Sequence, residues 1–404
     1  MILCWDTGNL VEIARRIARN EDVAYFVEWA NDVPKFYHYG VGQGFRNIEK
    51  IKQFDSHIDK ADVICFFDIG KGEMAARLRK EGKTVFGGGL GEELELNRIY
   101  AKKVQKEIGL PVQPYRVIKG IENVIEHVKR SPEKFIKIST YRGDMESFFA
   151  DDWETAKNQL RKFSSKVGPF ADSFEFMVEE KIDSVVESGF DLFFNGEDFL
   201  RPYLWGYIVG DAYYGRWVEE LPGVLDAVAE KIKPVLRKFG VRGAVSVEVM
   251  ITKEEKPYLL DWTIRFARPL SLMHTAIENF TEIIEAAAHG EDIDIEPPYE
   301  YCGIQPYKSH ESVDDWMKVS FPKSYEDRIK GLSIARVEDN IYVSPGNDIP
   351  IAAIGWGDSL EDVYDEIDEA GAEIHAYDVN VLDCDRKKAD AIVEKGESVG
   401  LEWT

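Results

Sequence analysis

The clearest pattern in the chain is an alternation of apolar and polar positions near its middle. Two runs of β-type residues, Ala244–Ile251 and Tyr258–Phe266, flank the charged turn Thr252–Pro257, which predicts a β-hairpin. Alternate residues of a strand share a face, so one face of this hairpin is polar and the other apolar. The polar face carries Ala244, Ser246, Glu248 and Met250 from the first strand and Asp261, Thr263 and Arg265 from the second, whereas Leu260 and Trp262 fall on the apolar face.

The register of this hairpin predicts a metal site. If the turn centres between positions 254 and 255, Glu248 lies opposite Asp261 and Ser246 lies opposite Thr263. Facing carboxylates repel each other, and an apolar hairpin solvates neither well, so the pair is destabilising unless a cation lies between them. Mg²⁺ or Mn²⁺ suits such an oxygen site. The alternative is an ordinary hairpin whose polar face contacts water.

Strand-like and helix-like segments alternate over residues 1–112. This alternation predicts a Rossmann-like parallel sheet, with ligands near the carboxyl ends of its strands. The break at Gly109-Leu110-Pro111 gives the first domain boundary. The predicted strands are Ile2–Trp5, Ala61–Phe67 and Lys83–Phe86, and the predicted helices are Leu10–Arg19, Glu73–Lys80 and Gly91–Ile108.

A lysine within a predicted strand marks residues 113–298. Lys137 lies in the predicted strand Glu133–Thr140, and its side chain points to the face opposite to that of Ile136 and Ile138. Its reach and charge suit a nucleotide phosphate, and the alternative is a lysine at the edge of a sheet. The polar turn Thr140–Glu146 follows. Further along we predict a helix at Asp152–Lys162, strands at Ser173–Ile182, Gly189–Phe194, Asp198–Tyr203 and Tyr203–Val209, an irregular loop at Asp211–Leu221, and helices at Leu225–Phe239 and Thr275–His289.

Residues 299–404 follow a proline-rich break and are expected to form a small separate α+β module. Strands are predicted at Ile341–Ser344 and Ile349–Gly355, around a turn at Pro345-Gly346-Asn347. Ser359, with Asp362 three residues later, is a helix N-cap signal, so a helix is expected over Ser359–Ala370.

Composition limits the class of protein. The net charge of −24 over 404 residues argues against an extended nucleic-acid surface, because phosphates must be met by clustered Lys and Arg. No apolar run approaches the length of a membrane span. The four cysteines lie far apart without a C-x-x-C pair, so a reducing cytoplasm is expected, and each of the seven histidines is interpreted as structural.

The hairpin also resembles a known site. Glu248 lies thirteen residues before Asp261, and Thr263 and Arg265 follow at alternate positions. This spacing resembles the metal-binding strands of ATP-grasp enzymes, in which the second carboxylate leads an E-x-N-x-R run. In this chain the run is Asp261-Trp262-Thr263-Ile264-Arg265, with Asp for Glu and Thr for Asn.

A resemblance to the phosphoribosylamine–glycine ligase family covers nearly the whole chain. Met177–Ile182 resembles that family's V-x-E-E-F-L hinge. Gly82–Lys102 resembles its G-x-x-V-F-G and L-E-x-S-K-x-x-A-K segment, with Arg98 where a lysine that faces the nucleotide is usual. The implied fold is a multidomain α/β and α+β protein: the Rossmann-like sheet, a central ATP-grasp domain of two α+β lobes, and the small carboxy-terminal module.

Three motifs depart from the family. The amino-terminal G-G-R-E-H is replaced by Asp6–Glu12, and the glycine-rich phosphate flap by Ser139–Glu146. The N-x-R-x-G-D-P-E run is replaced by Thr263–Leu270, which loses two acids and gains Arg268 beside Arg265. These changes imply a more cationic site and a substrate other than phosphoribosylamine.

The resemblance implies a role for each candidate residue. The expected cofactors are ATP and Mg²⁺ or Mn²⁺. The implied nucleotide-binding residues are Arg98, Lys137, Glu179, Glu180, Lys181, Ile182 and Glu187, and the implied metal ligands are Glu248, Asp261 and Thr263. Arg265, Arg268 and Arg142 would contact the substrate carboxylate or the transferred phosphoryl group. Taken alone, Glu179 and Glu180 are interpreted as solvated charges at a strand end.

The hypothesis is an ATP- and Mg²⁺-dependent ligase that activates a carboxylate as an acyl phosphate and joins it to an amine. Two alternatives stay open: a non-catalytic protein that binds ATP or a metabolite, and phosphoribosylamine–glycine ligase itself. The expected partners are small-molecule carboxylates and amines, and the expected state is a monomer or homodimer without membrane association.

Overall fold

The computed structural model describes residues 1–28, 40–138, 147–380 and 386–403. The amino-terminal strands form a parallel sheet of order β3-β2-β1-β4-β5, which confirms the predicted Rossmann-like architecture. The central strands are buried along their whole length, as continuous apolar runs in a parallel sheet require. The elements are β1 Ile2–Asp6, α1 Val11–Ile17, β2 Val23–Val27, β3 Ile48–Lys50, β4 Val63–Phe66, α2 Gly72–Lys80 and β5 Val85–Phe86.

The single long helix predicted over Gly91–Ile108 is wrong. The segment divides into a 3-10 turn at Gly89–Glu92, a short helix α3 at Glu93–Leu96, and α4 at Arg98–Glu107. Asn97 leaves the helical conformation, and its side-chain oxygen accepts a hydrogen bond from Tyr100 N at 3.1 Å. Asparagine is a strong N-cap, so it starts a new helix at this point.

The described residues between 115 and 180 form a small antiparallel sheet covered by two helices. The strand order is β6-β9-β7-β8, and α5 and α6 share one hydrophobic core with it. Asp152 caps α6 by accepting from Thr155 N at 2.8 Å. The elements are β6 Tyr115–Lys119, α5 Ile121–Arg130, β7 Lys134–Ile138, β8 Ser147–Ala150, α6 Trp153–Val167 and β9 Glu175–Glu180.

The next strands belong to a large, mostly antiparallel sheet. The strand predicted over Asp198–Tyr203 is wrong, because this segment forms only an isolated bridge, between Phe199 and Phe194, before Tyr203 begins the next strand. The loop predicted over Asp211–Leu221 is also wrong, because this segment is a strand paired along its length with the strand before it. The elements are β10 Ser184–Phe194, β11 Tyr203–Val209, β12 Ala212–Val218, α7 Gly223–Phe239, β13 Gly243–Thr252 and β14 Pro257–Thr263.

The hairpin β13–β14 has the predicted register at one end only. Ser246 pairs with Thr263 as expected, but Val249 pairs with Leu259, so the register shifts by one residue at a β-bulge opposite Glu248. Beyond the bulge the faces of β14 exchange. Leu259 is therefore fully buried, whereas Leu260, predicted for the apolar face, is half-buried.

The remaining strands extend the large sheet and add a smaller one. The large sheet continues as β12-β15-β20-β17, while β18, β19, β16 and β21 form a separate four-stranded sheet. The predicted strands after residue 340 exist, but they lie in different sheets and are not partners. The elements are α8 Phe280–His289, β15 Tyr301–Ser309, α9 Glu311–Asp314, β16 Met317–Ser320, β17 Ile329–Gly331, β18 Ile334–Val337, β19 Asn340–Val343, β20 Ile351–Gly357, α10 Leu360–Ala372, β21 His375–Ala376, β22 Val379–Asn380 and α11 Arg386–Glu397.

Two helix predictions in this region have different outcomes. Ser359 caps α10 by accepting from Asp362 N, as predicted. The helix predicted over Thr275–His289 begins later, because a 3-10 turn at Leu270–Ala276 precedes it. The domain boundaries at 112 and 298 stay predictions, and the large sheet crosses the second of them. Among the described residues, no helix combines the length and apolar character needed to cross a bilayer.

Candidate active site

Three neighbouring strands present polar side chains on one face of the large sheet. On β10, Glu187 and Asp191 lie beside Met250 and Ser246 of β13. Gly189 lies directly opposite Glu248, and a Cβ at this glycine would lie 2.3 Å from the carbonyl oxygen of Val247. Only glycine therefore allows β10 and β13 to approach this closely, and it leaves the position facing Glu248 without a side chain.

Two cations from different elements contact Asp261 on the same hairpin. Lys137 Nζ, from β7, lies 3.2 Å from Asp261 Oδ2. Arg98 Nε, from the first turn of α4, lies 3.3 Å from Asp261 Oδ1. Both cations are almost fully buried, so these ion pairs are poorly screened by water. The structure thus brings together three predicted site residues that are 39 or more positions apart in the sequence.

Glu179 joins the same cluster, which corrects its interpretation as a solvated charge. Its side chain is 1% exposed, and its carboxylate lies 3.4 Å from Lys102 Nζ and 3.4 Å from Lys137 Nζ. Lys102 also donates to Gln113 Oε1 at 3.1 Å and to the carbonyl of Leu259 at 3.2 Å. Sequence reasoning did not assign Lys102, although it lies one turn after Arg98 on α4.

The other predicted nucleotide-binding residues of the hinge, Glu180, Lys181 and Ile182, lie outside this cluster. Glu180 is about half exposed and pairs with Lys134 at 2.9 Å. Lys181 Nζ lies 5.5 Å from the centroid of the Phe149 ring, and Ile182 is half-buried just after β9. In this segment only Glu179 belongs to the buried ion-pair cluster. Arg142, the remaining candidate for phosphate contact, lies outside the described residues.

The carboxyl groups of the site differ in pKa. Burial and the nearby charges of Asp261 and Glu187 raise the pKa of Glu248 to about 7. Burial also raises the pKa of Glu187. Burial acts in the same direction on Asp261, but Lys137 and Arg98 outweigh it and hold the pKa of that carboxyl well below its usual range. Asp261 is therefore ionised, whereas Glu248 is poorly compensated.

The oxygen donors of the hairpin suit a hard divalent cation. Glu248 and Asp261 supply carboxylates, and the Thr263 hydroxyl lies two residues further along β14. Within the described residues, no group of three or more His, Cys, Asp and Glu side chains could hold a metal ion by itself. Mg²⁺ usually binds through one or two carboxylates and completes its shell with water and substrate phosphates, so this donor set fits it.

Arg265 and Arg268 form a second cluster with two acids from the amino-terminal region. Arg265 Nε lies 3.0 Å from Glu95 Oε1 and 3.3 Å from Asp68 Oδ1. Arg268 Nη2 lies 3.7 Å from Asp68 Oδ2, which also accepts a hydrogen bond from the Thr7 hydroxyl. The expectation of a cationic end needs correction, because two buried carboxylates oppose these arginines. These contacts could not be predicted from the sequence, because Asp68 and Glu95 lie far from Arg265 and Arg268 in the chain.

A cavity of about 250 Å³ lies beside these groups. It is lined by Gly189, Ser246 and Glu248 from the sheet, by Arg268, and by the ring of Tyr213. Glu248 thus lies near the Asp261 carboxylate and also borders this cavity. Its volume is slightly below the usual range of small-molecule pockets, which starts at about 300 Å³.

Asp191, on the same polar face of the large sheet, is fully buried together with Ser271 and His274. Asp191 accepts from the Ser271 hydroxyl at 2.9 Å, and its Oδ2 lies 3.7 Å from His274 Nε2, which is beyond hydrogen-bond distance. Burial raises the pKa of Asp191 to about 8 and lowers that of His274 to about 3. Both side chains are therefore neutral near pH 7, which agrees with a structural role for this histidine.

Comparisons with known proteins place this geometry in a fold. No family model and no curated protein matches the sequence. The phosphoribosylamine–glycine ligase of Thermotoga maritima has a TM-score of 0.66 at 16% identity, over 94% of this chain and 98% of that one. The biotin carboxylase domain of Hydrogenobacter thermophilus 2-oxoglutarate carboxylase has a TM-score of 0.65 at 13% identity, over 100% and 99%. The N5-carboxyaminoimidazole ribonucleotide synthetase of Thermotoga maritima has a TM-score of 0.61 at 14% identity, over 93% and 98%.

The chain has an ATP-grasp fold. At these identities the similarity shows the fold alone. The expected architecture is thereby confirmed. In this ATP-grasp fold, the ion-pair cluster joins the small sheet, through Lys137 and Glu179, to the hairpin of the large sheet, through Asp261.

Proposed function

We propose that the protein is an ATP- and Mg²⁺-dependent, ADP-forming ligase that activates a small carboxylate as an acyl phosphate and joins it to an amine. The proposal rests on one observation: a group of buried cations and a pair of carboxylates lie next to each other between the small sheet and the large sheet. Lys137, Lys102 and Arg98 supply cations, and Asp261 and Glu248 supply oxygen ligands beside them. A nucleotide phosphate with its metal ion needs both sets at adjacent positions.

The ion pairs around Asp261 suggest how the site accepts a nucleotide. Lys137 and Arg98 now neutralise Asp261. Phosphate oxygens would take these two cations and release Asp261 to bind Mg²⁺ together with Glu248 and the Thr263 hydroxyl. The bound ion would neutralise charge that develops on the transferred phosphoryl group. Two structurally similar proteins, the Hydrogenobacter thermophilus biotin carboxylase domain and an N5-carboxyaminoimidazole ribonucleotide synthetase, have structures with ADP bound, which supports this choice of ligand.

Arg265 and Arg268 are the proposed contacts for the carboxylate substrate. Both lie at the end of the hairpin, and Arg268 lines the cavity of about 250 Å³ next to Glu248. An arginine fork matches a carboxylate in geometry and charge, so it would orient the acid for attack on the phosphoryl group. Asp68 and Glu95 hold the arginines in place before a substrate binds. The cavity size favours a small acid such as an amino acid.

One observation favours the alternative of a protein that binds ATP without turning it over. Lys137 and Asp261 contact each other directly, so the site neutralises itself without a ligand. The third possibility, phosphoribosylamine–glycine ligase itself, is opposed by the replaced amino-terminal motif, where Asp6–Glu12 stands for G-G-R-E-H.

The test uses Glu248→Gln, because among the described residues Glu248 forms no ion pair or hydrogen bond, and its loss should leave the fold intact. Glu220→Gln, at an exposed glutamate, is the matched control. Mg-ATP at a hundredfold excess over the dissociation constant should stabilise the native protein and the control by about 2.7 kcal/mol, seen as a higher melting temperature. The shift should shrink in Glu248→Gln, and one amino acid with an amine should stimulate ADP release.

Each outcome decides between the candidates. A shift of the melting temperature without ADP release from any acid and amine pair would support the binding protein. An equal shift in Glu248→Gln would show that Glu248 is not a metal ligand. Absence of any shift at millimolar Mg-ATP would overturn the proposal. Release of ADP with glycine and phosphoribosylamine would establish the third possibility.

A further inference from the structure

A second cavity, of about 560 Å³, lies between α1, the segment before β3, and residues 323–336. Seven Lys or Arg side chains and three carboxylates line it, which leaves a surplus of four positive charges. The whole chain has a net charge of −24, so this concentration of cations runs against its overall balance. None of the residues that line the cavity belongs to the proposed nucleotide site.

The three carboxylates of this cavity are already engaged. Glu12 pairs with Arg15 at 2.8 Å, and Glu326 pairs with both Arg15 and Arg336. Asp327 pairs with Arg19 in the same way. These acids fix the positions of three arginines without cancelling the positive surplus.

Three further cations have no carboxylate partner, and one of them, Arg16, donates to the backbone carbonyls of Ile277 and Glu278. Arg46 and Lys323 are exposed at the cavity, and neither forms an ion pair with any carboxylate in the described parts of the chain. Unpaired cations that converge on one space raise the local concentration of anions and favour an anionic ligand.

The cavity is built before any ligand binds. The guanidinium groups of Arg15 and Arg336 lie 4.6 and 5.3 Å from the centroid of the Phe45 ring. A Cβ at Gly44 would lie 1.9 Å from the carbonyl oxygen of Arg336, and Arg336 N donates to the carbonyl of Gln43 at 2.9 Å. The loop that carries Phe45 and Arg46 is thus held against β18, and a preorganised site costs less entropy on binding.

We propose that this cavity binds a small molecule that carries two phosphoryl groups. Each phosphoryl group carries about −1.5 to −2 charges at pH 7, so two of them match a surplus of four. Arginine forks bind phosphate oxygens in pairs, and the cavity volume leaves room for an organic group as well.

This site is separate from the proposed active site. None of the residues that line this cavity lines the cavity beside Glu248 and Arg268. The loop before Val11 carries Thr7, which contacts Asp68 in the active-site cluster. The anion site is therefore a different cavity and does not depend on the proposed ligase function.

The experiment measures pyrophosphate binding by calorimetry in EDTA, so that no metal engages the nucleotide site. The double variant Arg46→Gln/Lys323→Gln removes the two exposed cations that have no carboxylate partner, without removing an ion pair. The double variant Lys52→Gln/Lys80→Gln makes the same charge change at exposed lysines elsewhere. We expect pyrophosphate to bind the native protein and the control equally, and the Arg46/Lys323 variant at least tenfold more weakly. Orthophosphate should bind the native protein more weakly than pyrophosphate.

Three results would overturn the proposal. The first is the absence of pyrophosphate binding to the native protein at millimolar concentration. The second is unchanged affinity in the Arg46/Lys323 variant, which would place pyrophosphate elsewhere, the nucleotide-site cations included. The third is an equal loss of affinity in the control, which would show a general effect of net charge.

Discussion

Glu179 is the carboxylate that two buried lysines share. It contacts Lys102 and Lys137, both of which are almost fully buried, so neither can be solvated if it loses this partner. Glu180, the next residue, is about half exposed and has one ion pair, with Lys134. Successive residues of β9 point to opposite faces of the sheet. The charge of Glu179 should therefore contribute more to the stability of the fold than the charge of Glu180.

Glu179→Gln should destabilise the protein by about 2–4 kcal/mol, because it leaves buried ammonium groups short of counter-charge while Asp261 still compensates Lys137. Glu180→Gln should cost less than about 1 kcal/mol, as is usual for exposed pairs. Urea denaturation of the two variants and the native protein measures both values. Equal losses would contradict the central place of Glu179 in the cluster.

The sequence indicated which strand carries Glu179 but not which charges meet it. Its position at the end of an amphipathic strand is typical of a solvated residue, and its partner Lys102 lies on a helix 77 positions earlier. Asp68 and Glu95 were missed for the same reason, since their contacts with Arg265 exist only after the amino-terminal sheet packs against the hairpin. Motif resemblance located the cations and carboxylates, and tertiary packing decided how they pair.

Strands and helices were predicted well where a single local signal dominates. The continuous apolar strands of the parallel sheet and the Ser359 cap of α10 are of this kind. Three failures have different local causes. The aromatic segment of β12 lacks clean alternation because its sheet is covered on both sides, Asn97 interrupts a helical pattern by capping the next helix, and the β-bulge in β14 leaves no mark in composition.

The bulge makes a prediction about two neighbouring leucines. Leu259 is fully buried and Leu260 half-buried, the reverse of what unbroken alternation gives. Leu259→Ala should therefore lower the free energy of unfolding by about 2–4 kcal/mol, through lost burial and a cavity. Leu260→Ala is the matched control and should cost clearly less. Urea denaturation of both variants decides the register, and a larger loss for Leu260→Ala would show that the hairpin keeps its alternation without a bulge.

The protein is acidic as a whole, and several of its Asp and Glu side chains are buried. Burial raises the pKa of four carboxyls to 6 or higher: to about 6 for Asp6, about 7 for Glu92 and Glu248, and about 8 for Asp191. The net charge of −24 adds a general repulsion that protonation relieves. The folded state therefore binds more protons than the unfolded chain between about pH 4, the usual carboxyl pKa, and pH 8.

Stability should consequently increase as pH falls from 8 to 6.5. A carboxyl whose pKa is higher in the folded state contributes stability that is lost as pH rises through that pKa, and Asp191, Glu92 and Glu248 titrate in this interval. We expect a gain on the order of 2 kcal/mol, measured by urea denaturation in EDTA. His274 has the opposite sign: burial lowers its pKa to about 3, so below about pH 6.5 the unfolded chain takes up a proton that the folded state refuses. This opposite contribution offsets part of the gain below about pH 6.5. Asp191→Asn should flatten the gain, because it removes the carboxyl that titrates highest, and a native protein with constant stability from pH 8 to 6.5 would contradict these pKa shifts.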